Sequence, residues 1–437
     1  MKLHLLFENA MSEIDYLEDY YNIQIKSISQ LVKRESEKYK YGLAIYKYLC
    51  GKAHNEENPK CLEDFEKEFI KNELIEIKGE NDQDDISYDI KNIEQYDGKY
   101  ELDPIISEKK VSCSRERPVI LNESVLVMLL IRFENVISSV YKFLLENYPE
   151  AYLKDKTVSY DKIISLNSDL EKIMGLLLNR EVEEFMRRPL KEWYSTFETK
   201  HGMKFNFNGD YEEFKEIYYR RNIIVHNQGK VNEVYLEGIG GKTDLKIGDK
   251  IKVDHEYLVR AFDIVRIVLF KTFSGFVKVC NDKKSLSRVM TSLGFEYMLN
   301  SKWSVSKEAF YELMSFPELE EADVFCNKMN YFISIKNKNG IDEIKEEVEK
   351  IDTSAMRYRM SVAKPALLDD FENVSKILEK AIEIEISVNE LKTWPLFIQY
   401  RKSDEYKSFV KAHESLFSVN KYSQEDINCL SETQDQL

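Results

Sequence analysis

Apolar side chains recur at intervals of three and four residues along most of the chain, which is the spacing of amphipathic α-helices. The stretch 210–229 shows the pattern well, because Phe214, Ile217, Ile224 and Val225 form an apolar stripe. Charged, amide and tyrosine side chains fill the positions between them. The stretch is therefore predicted to be one helix with a buried face and a polar face.

Both ends of this helix carry local signals. Asn208-Gly209 is typical of a turn, Asp210 can cap the first helical turn, and Glu213 is placed to reach back to the amide of the cap. At the other end, Gly229 tolerates a left-handed backbone, so we expect the helix to stop near Gln228.

The same periodicity predicts helices elsewhere. Two or three helices are expected in 11–75. In the central region we expect a long helix after Pro118, capped by Asn122 and stopped by Pro149, then two helices in 159–179 and 180–200, and a final long helix after Asp254. Helices are also expected throughout 286–418. Residues 54–59 read as a polar break.

One segment breaks the helical pattern. Residues 234–254 alternate apolar and polar side chains and are interrupted by glycines, so we predict a short β-hairpin there. Together these elements predict an all-α, mostly helical, multi-domain protein, whose central helical bundle carries one short hairpin.

Composition suggests three regions. An N-terminal helical region with an acidic linker at 79–103 covers 1–117, and a central helical domain covers 118–285. A C-terminal helical region with a loose similarity to helix-hairpin repeats covers 286–437. The length of 437 residues is enough for two or three domains. Asp and Glu are in excess in the outer regions, whereas the central region is close to neutral.

The net charge of −15 argues against indiscriminate coating of nucleic acid, although the near-neutral centre leaves room for a local basic cleft.

The six cysteines form no CxxC pair and the histidines are not spaced with them as ligands, so we expect no metal and no cofactor. The N-terminal apolar run is too short for a signal peptide, and the longest apolar stretch, 124–131, is too short for a membrane span. We expect a cytoplasmic protein without a membrane partner.

Candidate chemistry is concentrated near the end of the 210–229 helix. At about 100° per residue, Asn222 and His226 lie on one face, one turn apart, and Arg221 lies about 140° round from His226. A permanent cation, an amide and an imidazole suit a phosphodiester, because the cation can hold the phosphate while the imidazole moves a proton. A helix C-terminus also favours the protonated imidazole, which suits a general acid.

The same residues have an ordinary structural interpretation. A histidine in the last turn of a helix often acts only as a C-terminal cap, and an Arg-Arg pair, here Arg220-Arg221, is usually solvated surface. Spacing alone favours this interpretation.

The segment from Arg221 to Asn227, which reads RNIIVHN, resembles the signature of HEPN domains (higher eukaryotes and prokaryotes nucleotide-binding). In that family an arginine, often followed by asparagine, precedes a histidine after four to six residues. The segment closes a helix and sits fourth in a run of helices, as the family has it. The resemblance covers about 118–285.

Many HEPN proteins are metal-independent RNA endonucleases of toxin-antitoxin, abortive-infection and other antiphage systems. The resemblance implies an RNA-cleaving homodimer, in which two motifs meet to form one site. Arg221 would stabilise the phosphate and His226 would transfer a proton. Asn222 and Asn227 would position the imidazole or the backbone, and Arg220 would attract substrate.

The resemblance also implies a role for Glu134, since the first helix of such domains tends to carry an acidic or polar residue facing the cleft. Glu134 either contacts Arg221 or is a solvated residue on the exposed side of its helix. The acidic outer regions would restrain activity until a phage-derived trigger or a regulatory partner arrives.

A function of another class stays open. The chain is alternatively a helical scaffold or sensor that binds nucleotide, RNA or a partner protein without cutting. Trp303, Trp394 and Tyr400 in the last region form a peptide or ligand groove, or simply lock helix ends.

Overall fold

The computed structural model describes residues 2–53, 62–77, 87–96, 98–154, 156–207, 209–241 and 243–418. Nearly all of its regular structure is helical, which confirms the all-α prediction. The helices are α1 (Leu3–Ala53), α2 (Asp64–Glu73), α3 (Pro104–Asn147), α4 (Pro149–Leu153), α5 (Tyr160–Ser165), α6 (Leu170–Met186), α7 (Leu190–His201), α8 (Asp210–Asn227), α9 (Glu233–Gly238), α10 (His255–Gly275), α11 (Lys283–Leu299), α12 (Trp303–Met314), α13 (Glu321–Asn339), α14 (Lys345–Glu349), α15 (Tyr358–Ser361), α16 (Ala363–Leu367), α17 (Phe371–Ala381), α18 (Val388–Thr393), α19 (Asp404–Ala412) and α20 (Glu414–Ser418).

The β-structure among the described residues is one antiparallel hairpin near the N-terminal end of the chain. Strand β1 (Leu74–Ile77) pairs with β2 (Ser87–Ile90), with Leu74 opposite Ile90. The polar break at 54–59 and residues 79–86 and 97 of the acidic linker lie outside the described residues.

The hairpin predicted for 234–254 was wrong, because α9 occupies the first five residues of this segment. The side chain of Asn232 accepts a hydrogen bond from the amide of Tyr235 at 2.9 Å and so starts the helix. The phenol ring of Tyr235 is then buried, with 1% exposure. The flanks of the segment still meet, but only as an isolated bridge between Lys230 and Lys250.

Helix α3 begins earlier than predicted, at Pro104 instead of after Pro118. The carboxylate of Asp103 accepts a hydrogen bond from the amide of Ile106 at 2.7 Å, and a proline is tolerated at the first helical position. Pro118 lies inside the helix. Asn122, predicted as a cap, is buried in the middle of α3.

The chain forms two compact units, each assembled from segments that are distant in sequence. Unit 1 consists of 1–11, 133–214 and 263–437, and unit 2 consists of 12–132 and 215–262. Helices α1, α3, α8 and α10 contribute residues to both. The division into 1–117, 118–285 and 286–437 follows contiguous stretches instead and stays a prediction.

The core of unit 1 is rich in aromatic rings. Tyr141 stacks on Phe185 with ring centroids 3.8 Å apart, and Phe185 also lies beside Trp193. The hydroxyls of Tyr194 and Thr272 are 3.0 Å apart in the same buried region. Helix α12 packs against both α11 and α13 in the C-terminal part of the unit.

A buried charge cluster also belongs to unit 1. The ammonium of Lys271, whose side chain is 1% exposed, lies 2.5 Å from Asp210 and 3.0 Å from Glu308. Burial alone lowers the pKa of Lys271, but the two carboxylates outweigh it and raise that pKa. Asp210 is the first residue of α8, so this cluster fixes the beginning of the motif helix.

Unit 2 contains the helical segment that carries the motif. A buried cluster of Ile223, Val231, Tyr235, Ile239 and Ile251 joins α8 to the segments that follow it. We call this set the motif core. No helix in the described ranges is both long enough and apolar enough to cross a bilayer.

Candidate functional site

Helix α8 carries the motif and ends where the sequence predicts. It stops at Asn227, and Gln228 and Gly229 follow with positive φ angles of 55° and 72°. The amide of Gly229 donates to the carbonyl of Ile223 at 2.9 Å, and the side-chain amide of Asn227 donates to the carbonyl of Lys230 at 2.6 Å. The last turn of α8, which carries His226, is therefore fixed by local hydrogen bonds.

One face of α8 is buried and the opposite face points outward. Ile223 is 4% exposed and belongs to the motif core. Among the other positions of these turns, Arg221 and Asn222 are half-buried, Val225 is 49% exposed and His226 is exposed. We call Arg221, Asn222, Val225 and His226 the motif face.

The polar groups of the motif face differ in what they contact. The Arg221 guanidinium carbon lies 4.9 Å from the centroid of the Tyr218 ring. Asn222 and His226 make no side-chain hydrogen bond within the described part of the chain. An amide and an imidazole one turn apart are thus open to solvent and to any ligand that reaches this face.

Arg220, the neighbour of Arg221, is held inside unit 2. Its Nε donates to Glu216 at 2.7 Å, its Nη1 donates to the carbonyl of Lys252 at 2.6 Å, and its guanidinium carbon lies 4.2 Å from the ring centroid of Tyr257. Tyr235 and Tyr257 each donate a hydroxyl hydrogen bond to Glu216 at 2.6 Å. We call Glu216, Arg220, Tyr235 and Tyr257 the Glu216 network.

The charges of this network support each other. Burial alone lowers the pKa of Arg220, but Tyr257 and the Glu216 carboxylate raise it overall. Burial, followed by the charge of Glu216, raises the pKa of Tyr257 well above its ordinary value. Arg220 therefore has structural partners, and its attraction of a substrate stays a prediction.

Glu134 lies in α3 and is half-buried. It belongs to unit 1, whereas Arg220, Arg221, Asn222, His226 and Asn227 belong to unit 2. The predicted contact between Glu134 and Arg221 stays a prediction.

A cleft of about 860 Å³ lies in unit 2 beside the motif segment. Lys26, Lys250 and Lys252 line it and are exposed. Its 250–255 wall is held to α8, because Arg220 binds the carbonyl of Lys252 and the amide of Ile251 donates to the carbonyl of Gly229 at 2.9 Å. We call this pocket the lysine cleft.

Sequence reasoning missed the lysine cleft. The alternation of Lys250 and Lys252 around a buried residue was the available signal, but it was read as part of a hairpin. Lys26 comes from α1, more than two hundred residues away, and only the fold brings it to the same pocket.

A hydrogen-bonded chain lies at the wall of the lysine cleft. The hydroxyl of Tyr21 donates to Asn122 Oδ1 at 3.0 Å and lies 2.9 Å from His255 Nδ1. Asn122 in turn donates to the carbonyl of Val253 at 2.8 Å. Burial, with a further contribution from Asp254, raises the pKa of Tyr21 to about 12, so this phenol stays protonated near neutral pH.

Comparisons with protein-family models, with curated proteins and with solved structures found no match to this chain. The resemblance to HEPN domains therefore rests on the residues from Arg221 to Asn227 and on their place at the end of a helix.

Proposed function

We propose that this protein is a metal-independent RNA endonuclease of HEPN type that acts as a homodimer with a composite site. One observation carries the proposal: the motif face presents Arg221, Asn222 and an exposed His226 at the end of a helix that is packed in the motif core through Ile223. A rigid helix that holds a cation and an imidazole at its surface supplies what phosphodiester cleavage needs.

The reaction is transesterification within the RNA chain. The ribose 2′-hydroxyl loses its proton and attacks the adjacent phosphorus, and the bond from phosphorus to the 5′-oxygen of the next nucleotide breaks. The 5′-oxygen takes up a proton, and a 2′,3′-cyclic phosphate remains. Arg221 stabilises the charge on the phosphoryl oxygens, and His226 carries one of the two protons.

The need for two proton transfers favours a dimer. One motif face offers one imidazole, which accepts or donates a proton but cannot do both in the same step. A second copy of the motif face, related by a two-fold axis, supplies the other imidazole and a second guanidinium. Val225, exposed between the polar residues, provides apolar surface for such a contact.

The lysine cleft supports RNA as the substrate. Lys26, Lys250 and Lys252 make no ion pair within the described residues, so their charges are available to phosphates. Glu116 and Asp254 also line this cleft, so its three lysines leave it a formal charge of +1, in contrast to the overall charge of −15.

An antiphage or abortive-infection role extends the proposal by family analogy. In this extension the acidic outer regions restrain the nuclease until a phage-derived component or a regulatory partner releases it. Toxicity on overexpression that His226→Ala relieves would support this role.

The test is incubation of labelled total RNA with the protein in excess EDTA. Wild type is expected to cut, while Arg221→Ala and His226→Ala are expected to lose cleavage and keep wild-type circular dichroism. Arg288→Ala, which removes an exposed arginine in unit 1, is the matched control and should cut like wild type.

A mixing experiment tests whether two chains share one site. When wild type and His226→Ala are refolded together in varied ratio, activity should fall with the square of the wild-type fraction, because one altered chain disables a shared site. A proportional fall would mean that each chain acts alone. Equal cutting by wild type and both variants, or no cutting by any of them under any trigger, would favour the alternative of a helical scaffold or sensor that binds nucleotide, RNA or a partner protein.

A further inference from the structure

A cavity of about 630 Å³ lies in the C-terminal part of unit 1, and none of the motif-face residues lines it. It is formed by residues of α11, α13, α15, α16 and α18. Its walls are mainly apolar and aromatic and include Phe295, Phe325, Met329 and Met360. Volumes of this size and lining are typical of pockets for small molecules.

The charged groups at this cavity neutralise each other. Arg359 Nη2 lies 2.6 Å from Glu390 Oε1, and the Arg359 guanidinium carbon lies 5.2 Å from the centroid of the Trp394 ring. The hydrogen bond from Arg359, together with those from Ser387, lowers the pKa of Glu390 to about 2, so the pair is ionised at neutral pH. A ligand with a net charge would have no counter-charge here.

Two residues that line the cavity carry a polar group without a partner. The indole Nε1–H of Trp394 is buried and has no hydrogen-bond acceptor among the described residues. The side-chain amide of Asn330 also makes no hydrogen bond within the described part of the chain. A buried donor without an acceptor costs free energy, which a ligand with an acceptor atom would recover.

We propose that this cavity binds an uncharged small molecule with a flat apolar body and a carbonyl oxygen, which accepts the hydrogen bond of Trp394. The aromatic walls fit the flat body, the neutral ion pair excludes net charge, and the unused indole N–H selects the carbonyl. This site is independent of the proposed nuclease function.

The probe for the experiment is prodan, a neutral naphthalene dye whose carbonyl makes its emission sensitive to polarity and hydrogen bonding. Saturable binding with blue-shifted emission is expected for the full chain. The matched probe is dimethylaminonaphthalene, which lacks the carbonyl and should bind more weakly.

The matched variants are Trp394→Phe and Trp303→Phe. Trp394→Phe keeps an aromatic wall but removes the donor, so its affinity for prodan should fall about fivefold while its affinity for dimethylaminonaphthalene is unchanged. Its circular dichroism spectrum should match that of wild type, so that a weaker binding of prodan does not report unfolding. Trp303→Phe should bind both probes like wild type, because Trp303 does not line the cavity.

Cysteine labelling locates the bound probe and does not depend on any variant. Cys326 lines the cavity and is exposed, and Cys113 is exposed in unit 2. Burial, together with the charge of Asp323, raises the pKa of the Cys326 thiol, so maleimide labelling is best followed at mildly alkaline pH by peptide mass spectrometry. Saturating prodan should slow labelling of Cys326 severalfold and leave Cys113 unchanged.

Absence of saturable prodan binding would overturn the proposal. So would unchanged labelling of Cys326 at saturation, or equal loss of both probes in Trp394→Phe. None of these results depends on RNA cleavage, so failure here is distinguishable from failure of the nuclease.

Discussion

The guanidinium of Arg220 lies against the ring of Tyr257, 4.2 Å from its centroid, while the hydroxyl of the same tyrosine donates to Glu216 at 2.6 Å. Glu216 thus holds both the arginine and the ring on which it stacks. Since Arg220 also binds the carbonyl of Lys252, this pair of contacts fixes one wall of the lysine cleft to α8.

Glu216→Gln should destabilise unit 2. The amide keeps the shape of the side chain but removes the charge that balances partly buried Arg220, so the free energy of unfolding should fall by about 2 kcal/mol. Urea denaturation followed by circular dichroism measures the loss. Glu68→Gln, at an exposed position of α2, should change the free energy of unfolding by much less, and an equal effect of the two substitutions would contradict the assigned network.

Gly229→Ala should weaken the end of the motif helix. Gly229 has a φ of 72°, where a Cβ is unfavourable, so a loss of about 1–2 kcal/mol is expected even though the added carbon would meet only an ordinary contact with Ile251. Gly175→Ala is the matched control, because this residue lies inside α6 with open space around it.

The two glycine substitutions are expected to change the free energy of unfolding in opposite directions. An alanine in the middle of a helix is favoured over glycine, so Gly175→Ala should stabilise by about 0.5–1 kcal/mol. Hydrogen exchange of the amides in α6 and α8 reports each helix separately. Stabilisation by both substitutions would show that the turn after α8 does not need a left-handed residue.

Replacing Lys26, Lys250 and Lys252 by glutamine should weaken RNA binding and flatten its salt dependence. Each lost phosphate contact reduces the slope of log K against log salt by about 0.7 for single strands. The measurement uses the His226→Ala background, so that RNA is bound without being cut, and fluorescence anisotropy of a labelled oligonucleotide.

The control for the lysine cleft is a second triple variant. Lys284, Lys338 and Lys380 are exposed lysines of unit 1, and their replacement by glutamine removes the same formal charge. If both triple variants lower affinity and slope alike, binding follows net charge and not the lysine cleft.

The ion pair of Glu390 with Arg359 should appear in the acid stability profile. The pKa of Glu390 is about 2 in the folded protein and near 4.5 ordinarily, so unfolding is accompanied by proton uptake between these values. Its stabilisation is complete above pH 4.5 and is lost as pH falls toward 2.

Glu390→Gln should therefore make the dependence of stability on pH shallower, by up to one proton, in the part of this window where the protein stays folded. Urea midpoints measured from neutral pH downward provide the slope. Glu379→Gln, at an exposed position of α17, should leave the slope close to that of wild type. An unchanged slope in Glu390→Gln would rule out the assigned ion pair.

The ends of α8 were predictable because their signals are local. Gly229 follows the last helical turn directly, and its backbone angle needs no information from distant parts of the chain. The same holds for the helical periodicity, which predicted the all-α fold. By contrast, the alternation around Val234 and Leu236 suggested a strand. The segment forms a helix instead, because Asn232 caps its first turn and Tyr235 is buried.

The sequence did not show that two adjacent arginines have different contacts. Arg220 and Arg221 look equivalent in the sequence, yet the partners of Arg220 include Tyr257 and the carbonyl of Lys252, more than thirty residues away. The lysine cleft and the Trp394 cavity likewise combine residues from separate helices. Such pockets depend on tertiary packing, which cannot be read from the spacing of apolar residues along the sequence.

Asn222 and His226 have no hydrogen-bond partner within the described residues and are not among the residues of the motif core. The fold therefore gains little from their identity, and random drift would replace both without harm to folding. If diverged relatives nevertheless retain an amide and an imidazole at these two places, only selection on what the protein does can have kept them there.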